Sequence, residues 1–238
     1  MTAECTVAGR GGGLIATVTG RLGDDDVGAL RLRLMKCLAE QPRSLIIDLN
    51  EMRTDQPLSL AVFLVITRQA AYWPGIPVLL CTGAAETRAQ LQGAAYRRLL
   101  VFRDVESARR HTIESELPMP TLSDEILPVT GAGRHARNVV TDACLSWDLP
   151  DLVGPASLIA NEFIANVVVH AGTMATLRLS LLPRHLAIAV RDGSDDAPVL
   201  RPDGDDPGRG LMLVEAMAAS WGWLPLDGGK VVWATLLR

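Results

Sequence analysis

Three polar side chains with the chemistry of an ion or phosphate site recur at four-residue intervals in one apolar stretch. They are Glu162, Asn166 and His170, and the stretch 158–171 contains no proline or glycine. In a helix a step of four residues turns about 400°, so the three form one polar stripe along a rod that is otherwise buried. A buried carboxylate and amide are costly unless a partner satisfies them. Either the stripe faces a ligand, with Asn166 and Glu162 near a hydrated metal ion, or it is a polar edge facing water.

A second candidate site lies in the loop 192–210, which holds four glycines, three prolines and six aspartates. A loop this long inside a compact domain is usually functional. It ends in Gly208-Arg209-Gly210 and runs into an apolar helix from Leu211. Backbone N–H groups and the positive end of the helix dipole make such a junction an anion site, with phosphate as the expected anion and Arg209 as an added charge. A flexible surface loop with an ordinary glycine turn is the alternative.

The elements that must position these residues alternate between helix and strand. In the second half we expect an edge strand at 125–129, a helix at 134–147, the helix 158–171, strands at 175–182 and 186–191, and a closing pair of strands at 221–225 and 230–237 around the turn Asp227-Gly228-Gly229. In the first half we expect strands at 14–19, 44–49, 77–81 and 99–102, with helices beginning near 24, 58, 84 and 105. This alternation predicts an α/β fold with a largely parallel sheet in the first half.

The first half shows no catalytic constellation of its own. Gly11-Gly12-Gly13 precedes a strand, which is the wrong context for a dinucleotide-binding loop. Its helix from about residue 24 has N-cap candidates in Asp24-Asp25-Asp26. The proline-containing stretch after residue 112 predicts a boundary, so we expect domains at 1–112 and 121–238 joined by a linker at 113–120.

Composition sets further limits. The chain has 238 residues, 48% of them hydrophobic, and a net charge of −4, which supports full cores and argues against a nucleic-acid partner. The four cysteines lie far apart, so we expect buried, reduced thiols rather than a zinc site. No signal peptide is visible and the apolar runs look too short to cross a bilayer, so we expect a cytoplasmic protein without a membrane partner.

The first half resembles a STAS domain, the fold of bacterial anti-sigma-factor antagonists, over about residues 12–110. The resemblance rests on Gly20-Arg21-Leu22 after a strand, on the strand 45–49, and on Thr54-Asp55 just before a helix. In antagonists the Asp is followed by a phosphorylatable Ser, but here Gln56 follows it and cannot be phosphorylated. Ser59 lies three positions later, so neither position matches the usual phospho-switch.

The second half, from about residue 120, resembles the GHKL (Bergerat-type) ATPases, and within them the anti-sigma-factor serine kinases. The matching segments are 161–173, 190–194, 208–214, 221–222 and 229–233. The resemblance implies a two-layer α/β sandwich that follows the STAS-like mixed sheet with its helices, and it implies ATP and Mg²⁺ as ligands.

The resemblance also implies roles for individual residues. Asn166 would coordinate Mg²⁺, and Glu162 would be the general base that takes a proton from the attacking hydroxyl. Asp192 would accept a hydrogen bond from the adenine amine, and Gly193 and Ser194 would line that end. Gly208 and Gly210 would wrap the phosphates, with the loop before them as a lid, and Arg209 and Leu211 complete the cofactor-binding positions.

Two smaller points follow from the same resemblance. His170 would either support the residues that contact the ligand or be purely structural. Relatives usually carry Thr near the adenine where this chain has Val231 after Lys230, and the lost hydroxyl would weaken base recognition by about 1 kcal/mol.

Two functions from different classes stay open. The first is an ATP-dependent serine/threonine kinase that acts on a STAS-domain antagonist in a pathway that frees or captures a sigma factor. The second is a non-catalytic, nucleotide-dependent binding module in which the STAS-like domain, lacking its acceptor Ser, acts as an internal partner or plug. A histidine kinase is disfavoured because no helix pair with a phospho-accepting His precedes the ATPase half. Dimers are frequent among relatives of the second half, so a homodimer is a candidate assembly.

Overall fold

The computed structural model describes residues 2–10, 12–115, 119–198 and 210–238. The chain divides into two compact units, Met1–Leu117 and Pro118–Arg238. Each unit contains one five-stranded sheet with helices, so the prediction of an α/β fold is confirmed.

The sheet of the first unit is mixed and has the spatial order β1-β2-β3-β4-β5. Its strands are β1 (Glu4–Arg10), β2 (Gly13–Arg21), β3 (Leu45–Arg53), β4 (Val78–Cys81) and β5 (Leu100–Phe102). Strands β2 to β5 run parallel, and β1 pairs antiparallel with β2. The connecting helices are α1 (Asp24–Ala39), α2 (Ala61–Tyr72) after a 3₁₀ turn at Pro57–Leu60, α3 (Ala85–Leu91) and α4 (Val105–Ser115).

Strand β1 was not predicted from the sequence. It forms a hairpin with β2 through the glycine segment, where Gly12 has a φ of +82° that favours glycine. The alternation of half-buried Cys5 and Val7 with exposed neighbours is the period-two signal that could have revealed it.

The start of α1 differs in detail from the prediction. Gly23 is the N-cap residue, and Asp24, Asp25 and Asp26 occupy the first helical turn. The Asp26 carboxylate accepts a hydrogen bond from the Gly23 N–H at 3.0 Å. The three aspartates therefore stabilise the helix from inside its first turn, where negative charge suits the dipole, and not as the N-cap.

The sheet of the second unit is entirely antiparallel and has the order β6-β7-β8-β10-β9. Its strands are β6 (Thr121–Ile126), β7 (Ala175–Leu181), β8 (His185–Asp192), β9 (Ser220–Leu226) and β10 (Gly229–Leu237). The helices are α5 (Ala132–Ser146), α6 (Val153–Asn166) and α7 (Gly210–Met217). Edge strand β6 begins four residues earlier than the strand expected at 125–129.

One core joins the helices to the sheet. Alternate side chains of β7, β8 and β10, such as Leu177, Ile188 and Ala234, are buried with Ile159 and Phe163 of α6. Because neighbouring positions along a strand point to opposite faces, the same strands place Asp192 on the face that carries Ile188 and Val190. The site described below lies on this face.

Helix α6 is longer and less regular than the sequence suggests. The α-helix begins at Val153, five residues before the predicted start, and it changes to a π-helical turn at Val167–Ala171. A π turn is wider than an α turn, so the four-residue stripe is regular from Glu162 to Asn166 but not from Asn166 to His170.

The helical run Pro150–Ala171 corrects the expectation that every apolar run is too short to cross a bilayer. It has 22 residues and a mean hydropathy of 1.6, so it is long and apolar enough to cross a membrane. The sequence hid this length because Pro150 and Pro155 interrupt the apolar stretch, and both are accommodated near the helix start. Its side chains Ile159, Phe163 and Val167 are buried in the core of the unit, as in the interior helix of a globular domain.

The four cysteines are free thiols, as expected. Three of them, Cys37, Cys81 and Cys144, are buried, while Cys5 is partly exposed. Burial raises the pKa of Cys81 to about 12 and of Cys37 and Cys144 to about 11, so these thiols stay protonated at neutral pH.

Candidate functional site

A cavity of ≈ 260 Å³ opens in the second unit beside α6, α7 and the ends of β8 and β10. Its apolar walls are formed in part by Phe163, Val190 and Val232. Its polar lining includes Asn166, Asp192, Ser194 and Lys230. Apolar walls with a few convergent polar groups are the usual composition of a small-molecule site.

Asn166 lines this cavity at the last residue of α6. Phe163, three residues earlier, is anchored in the core, which fixes the rotation of the helix and turns Asn166 toward the cavity. His170, in the π turn, lines the same cavity and is exposed, so it is not a core histidine. The structure therefore places two of the three stripe residues beside one cavity.

Glu162 lies next to the cavity but is not one of its described lining residues. Its Oε1 accepts a hydrogen bond from Asn161 Nδ2 at 3.1 Å. Its carboxylate lies so close to Gly210 that a Cβ at Gly210 would overlap Oε2. Because Gly210 is the first residue of α7, the carboxylate sits at the positive end of that helix.

A polar chain that the sequence did not predict leads to this carboxylate from α5. The Arg137 guanidinium donates a hydrogen bond to Asn161 Oδ1, and Asn161 in turn donates to Glu162. Gly133, one turn before Arg137, lets the two helices approach, since a Cβ there would lie 2.6 Å from Asn161 Oδ1. The apolar pattern of α5 gives no signal for this contact, because it depends on how two separate helices pack.

Asp192 lies at the end of β8 and is only 5% exposed. Its Oδ1 accepts hydrogen bonds from the Ser194 N–H at 2.8 Å and from Lys230 Nζ at 2.9 Å. Lys230 Nζ also donates to the Ser194 carbonyl oxygen at 3.2 Å. The acidic group expected at the base end of the pocket is therefore part of a buried ion pair.

Lys230 is a charged lining residue to which the sequence assigned no role. It stands directly opposite Asp192 in the register of β8 and β10. A signal was present: Val232, Ala234 and Leu236 follow it at period two on the core face, so Lys230 shares that face. A lysine on a core face requires an anion. Val231, expected near the base, is buried but is not one of the described lining residues.

The remaining predicted residues fall into three groups. Ser194, Gly210 and Leu211 line the cavity. Gly193 is exposed, and its N–H donates to Thr173 Oγ1 at 2.9 Å beside the cavity. Gly208 and Arg209, together with most of the predicted lid, lie outside the described residues.

The residues present fit a magnesium-bound nucleotide. An amide oxygen such as that of Asn166 is a ligand that Mg²⁺ accepts when phosphate oxygens and waters supply the others. Among the described residues, no cluster of three His, Cys, Asp or Glu side chains could hold a metal ion alone. A metal here would therefore depend on a ligand that brings its own oxygens.

The segment of the first unit around Gln56 is also well defined. The Gln56 Oε1 accepts a hydrogen bond from the Asp24 N–H at 2.8 Å, and Asp55 forms an ion pair with Arg21. Ser59, the next hydroxyl residue after the acceptor position, is 3% exposed, and its hydroxyl donates to the Gln56 carbonyl oxygen at 2.6 Å. A kinase could not reach this hydroxyl without local unfolding.

No protein-family model matches the chain. Uncharacterized protein SCO4941 of Streptomyces coelicolor (strain ATCC BAA-471 / A3(2) / M145) is 40% identical over 68 residues. The match covers 26% of this chain and 65% of that protein, so the chain spans just under two thirds of the relative's length.

Solved structures of anti-sigma factor antagonists are similar to the N-terminal part of the chain. One, from Mycobacterium paratuberculosis, has 14% identity and a TM-score of 0.43, over 47% of this chain and 94% of that chain. The antagonist SpoIIAA in its unphosphorylated form has 12% identity and a TM-score of 0.40, over 48% and 100%. The Bacillus cell fate determinant SpoIIAA in the phosphorylated form has 12% identity and a TM-score of 0.37, over 45% and 98%.

Proposed function

We propose that residues 118–238 bind ATP with Mg²⁺ and that the protein is a serine/threonine kinase of a partner-switching pathway, with a STAS-domain antagonist as substrate. One observation carries this proposal. Asn166, Asp192 and Gly210 come from three separate sequence motifs, and all three line a single cavity. Residues of three separate motifs that shared no role would have no reason to converge in this way.

The chain's own residues divide the work of binding. The planar base would lie between the apolar side chains of Phe163, Val190 and Val232, and Asp192 would accept a hydrogen bond from its amine. The N-terminus of α7 would hold phosphate oxygens through backbone N–H groups. The Asn166 amide oxygen would hold the magnesium ion, whose chemistry is to neutralise charge that develops on the phosphates.

Glu162 would act as the proton acceptor. Asn161 and the start of α7 fix its carboxylate beside the phosphate-binding end of the cavity. From there it would accept the proton of an incoming serine or threonine hydroxyl at a carboxylate oxygen. Asn166 lines the cavity and Glu162 does not. Loss of Glu162 should therefore impair phosphotransfer more than ATP binding, whereas loss of Asn166 should impair binding itself.

Calorimetric titration with ATP and ADP, with and without magnesium, tests the binding step. We expect binding that is strengthened by magnesium, and an Asn166→Ala variant that loses about tenfold in affinity with magnesium but little without it. Asn138→Ala, at an exposed asparagine of α5, is the matched control and should bind like the wild type. A folded wild-type protein that ignores adenine nucleotides at millimolar concentration would defeat the proposal.

Phosphotransfer to candidate STAS antagonists tests the second step. Wild-type protein with labelled Mg-ATP should transfer label to a serine or threonine of the antagonist. Glu162→Gln should bind ATP within about threefold of wild type but lose about 100-fold or more in transfer rate. A wild-type protein that binds ATP tightly and labels none of the antagonists would leave only a nucleotide-binding role.

A second candidate function is a binding module in which the first unit acts as an internal partner. The observation that favours it is Gln56, which replaces the acceptor hydroxyl and instead accepts a hydrogen bond at the start of α1. Gln56→Ser would restore the hydroxyl at this position. Labelling of the hydroxyl that Gln56→Ser introduces would show that the first unit can occupy the substrate site. An unlabelled Gln56→Ser variant of an active kinase would count against an internal partner.

A further inference from the structure

The wall of the cavity contains a lysine ammonium group to which the nucleotide-binding motifs assign no role. Lys230 and Asp192 face each other across β10 and β8, and their side chains are 10% and 3% exposed. A buried ion pair is costly to form, and replacing such a pair with apolar residues is often neutral or stabilising. Stability alone therefore does not explain why this ion pair is present, and we expect it to contact a ligand.

The pair leaves hydrogen-bonding capacity unused. A lysine ammonium has three N–H donors, and with the described residues Lys230 uses two of them, on Asp192 Oδ1 and on the Ser194 carbonyl oxygen. Both hydrogen bonds that the Asp192 carboxylate accepts from described residues end on Oδ1. One Lys230 N–H and the acceptor Asp192 Oδ2 thus have no hydrogen-bond partner among the described residues, and both residues line the cavity.

A ligand that satisfies both groups must carry an acceptor next to a donor. The edge of adenine has this arrangement, because ring nitrogen N1 is an acceptor and the neighbouring exocyclic amine is a donor. We propose that Lys230 is a specificity-determining residue that donates a hydrogen bond to adenine N1 while Asp192 Oδ2 accepts from the amine. The inference rests on the proposed function. It adds a charged side chain that recognises the ring nitrogen N1.

This assignment also changes the meaning of Val231. The absence of a threonine at that position predicted weaker base recognition. Lys230, one residue earlier, lies on the cavity face and supplies a charge-assisted donor, which is stronger than a hydroxyl donor. The residue of β10 that contacts the base in this chain would then be Lys230, because the side chain of Val231 points to the opposite face of the strand.

The test compares three nucleotides on the full-length protein by calorimetry: ATP, 1-deaza-ATP, in which a C–H replaces N1, and 7-deaza-ATP as the matched control. For the wild type we expect 1-deaza-ATP to bind about tenfold or more weakly than ATP, and 7-deaza-ATP to bind within about threefold of ATP. The affinity of Lys230→Met for ATP should fall to about the affinity of the wild type for 1-deaza-ATP. The variant should bind ATP and 1-deaza-ATP with equal affinity.

The outcomes separate the inference from its foundation. If the wild type binds ATP and 1-deaza-ATP equally, Lys230 is only a counter-ion for Asp192 and the inference is wrong, while ATP binding stands. If the wild type binds none of the three nucleotides, the proposed function itself fails, and this inference fails with it. The comparison of ligands on the wild type decides the matter even if Lys230→Met does not fold.

Discussion

The carboxylate of Glu162 lies against Gly210, the residue with which α7 begins. The proposed general base and the proposed phosphate-binding helix are thus in direct contact, with no room for a side chain between them. Any change at Gly210 must therefore move either the carboxylate or the helix.

Gly210→Ala should damage stability and binding together. The added methyl group would overlap the Glu162 carboxylate, and such overpacking costs about 1–3 kcal/mol in the free energy of unfolding. Urea unfolding and ATP titration measure the two effects. Gly154→Ala in α6 is the control, because a Cβ there meets nothing within 4 Å, and the variant should gain up to about 1 kcal/mol. Equal stability of the two variants would contradict the close contact.

Asn161→Ala should slow phosphotransfer without weakening ATP binding. The change removes the donor that holds Glu162 Oε1 and also the acceptor of Arg137, so the carboxylate is no longer fixed. We expect about a tenfold lower transfer rate with the dissociation constant for ATP unchanged within about twofold. The readouts are single-turnover transfer and calorimetry. Arg137→Ala should show a smaller effect in the same direction, and an equal loss in ATP affinity would show that Asn161 acts on binding instead.

In the first unit, the buried polar residue Ser59 should contribute more to the free energy of unfolding than its exposed apolar neighbour Leu58. Ser59→Ala removes a buried hydroxyl that donates to Gln56 and should cost about 1 kcal/mol in the free energy of unfolding. Leu58→Ala, at a side chain that is 83% exposed, should change it by less than about 0.5 kcal/mol. Denaturant unfolding of both variants checks the order, and a larger cost at Leu58 would mean that its side chain is covered.

Cys144 should make the second unit less stable at alkaline pH. Its pKa is about 11 in the folded protein because of burial, whereas an unperturbed thiol titrates near 9.0. The stabilising contribution is fully present below pH 9 and is lost as the pH rises toward 11, because the unfolded chain then binds fewer protons than the folded one.

The measurement compares wild type with Cys144→Ala by urea unfolding at about pH 7.5 and about pH 10.5. The variant lacks this titration, so its deficit in stability should become smaller at the higher pH. Tryptophan fluorescence is a suitable probe, since four of the five tryptophans lie in residues 118–238. A deficit that is the same at both pH values would show that the thiol of Cys144 has an ordinary pKa.

The sequence predicted those features that depend on local pattern. The apolar run from Leu45 to Leu49 forms a buried strand, and the alternation around Leu177 and Leu179 forms a strand with one core face. The four-residue spacing of Glu162 and Asn166 placed both on one side of α6, and Asn166 does line a cavity. Periodicity sufficed here because burial of one face determines the conformation of each segment by itself.

Features that depend on distant partners could not be predicted in the same way. The pairing of Lys230 with Asp192 requires the register between β8 and β10, which are separated in the chain by α7 and β9. The contact from Arg137 to Asn161 requires the packing of two helices. The π turn at Val167–Ala171 has no local signature, since valines are tolerated in either kind of helix when tertiary packing fixes the backbone.

The antiparallel strand β1 affects how the protein can be shortened. Its seven residues pair along β2 and occupy the hydrogen-bonding edge that β2 would otherwise present to solvent. A protein trimmed to begin at the first apolar run, near Leu14, would keep every helix but uncover that edge. Strand β1 is itself the outermost strand, but β2 is longer and more buried, so the trimmed chain presents a longer and more apolar edge to strands of other molecules and should aggregate more readily than the full-length protein.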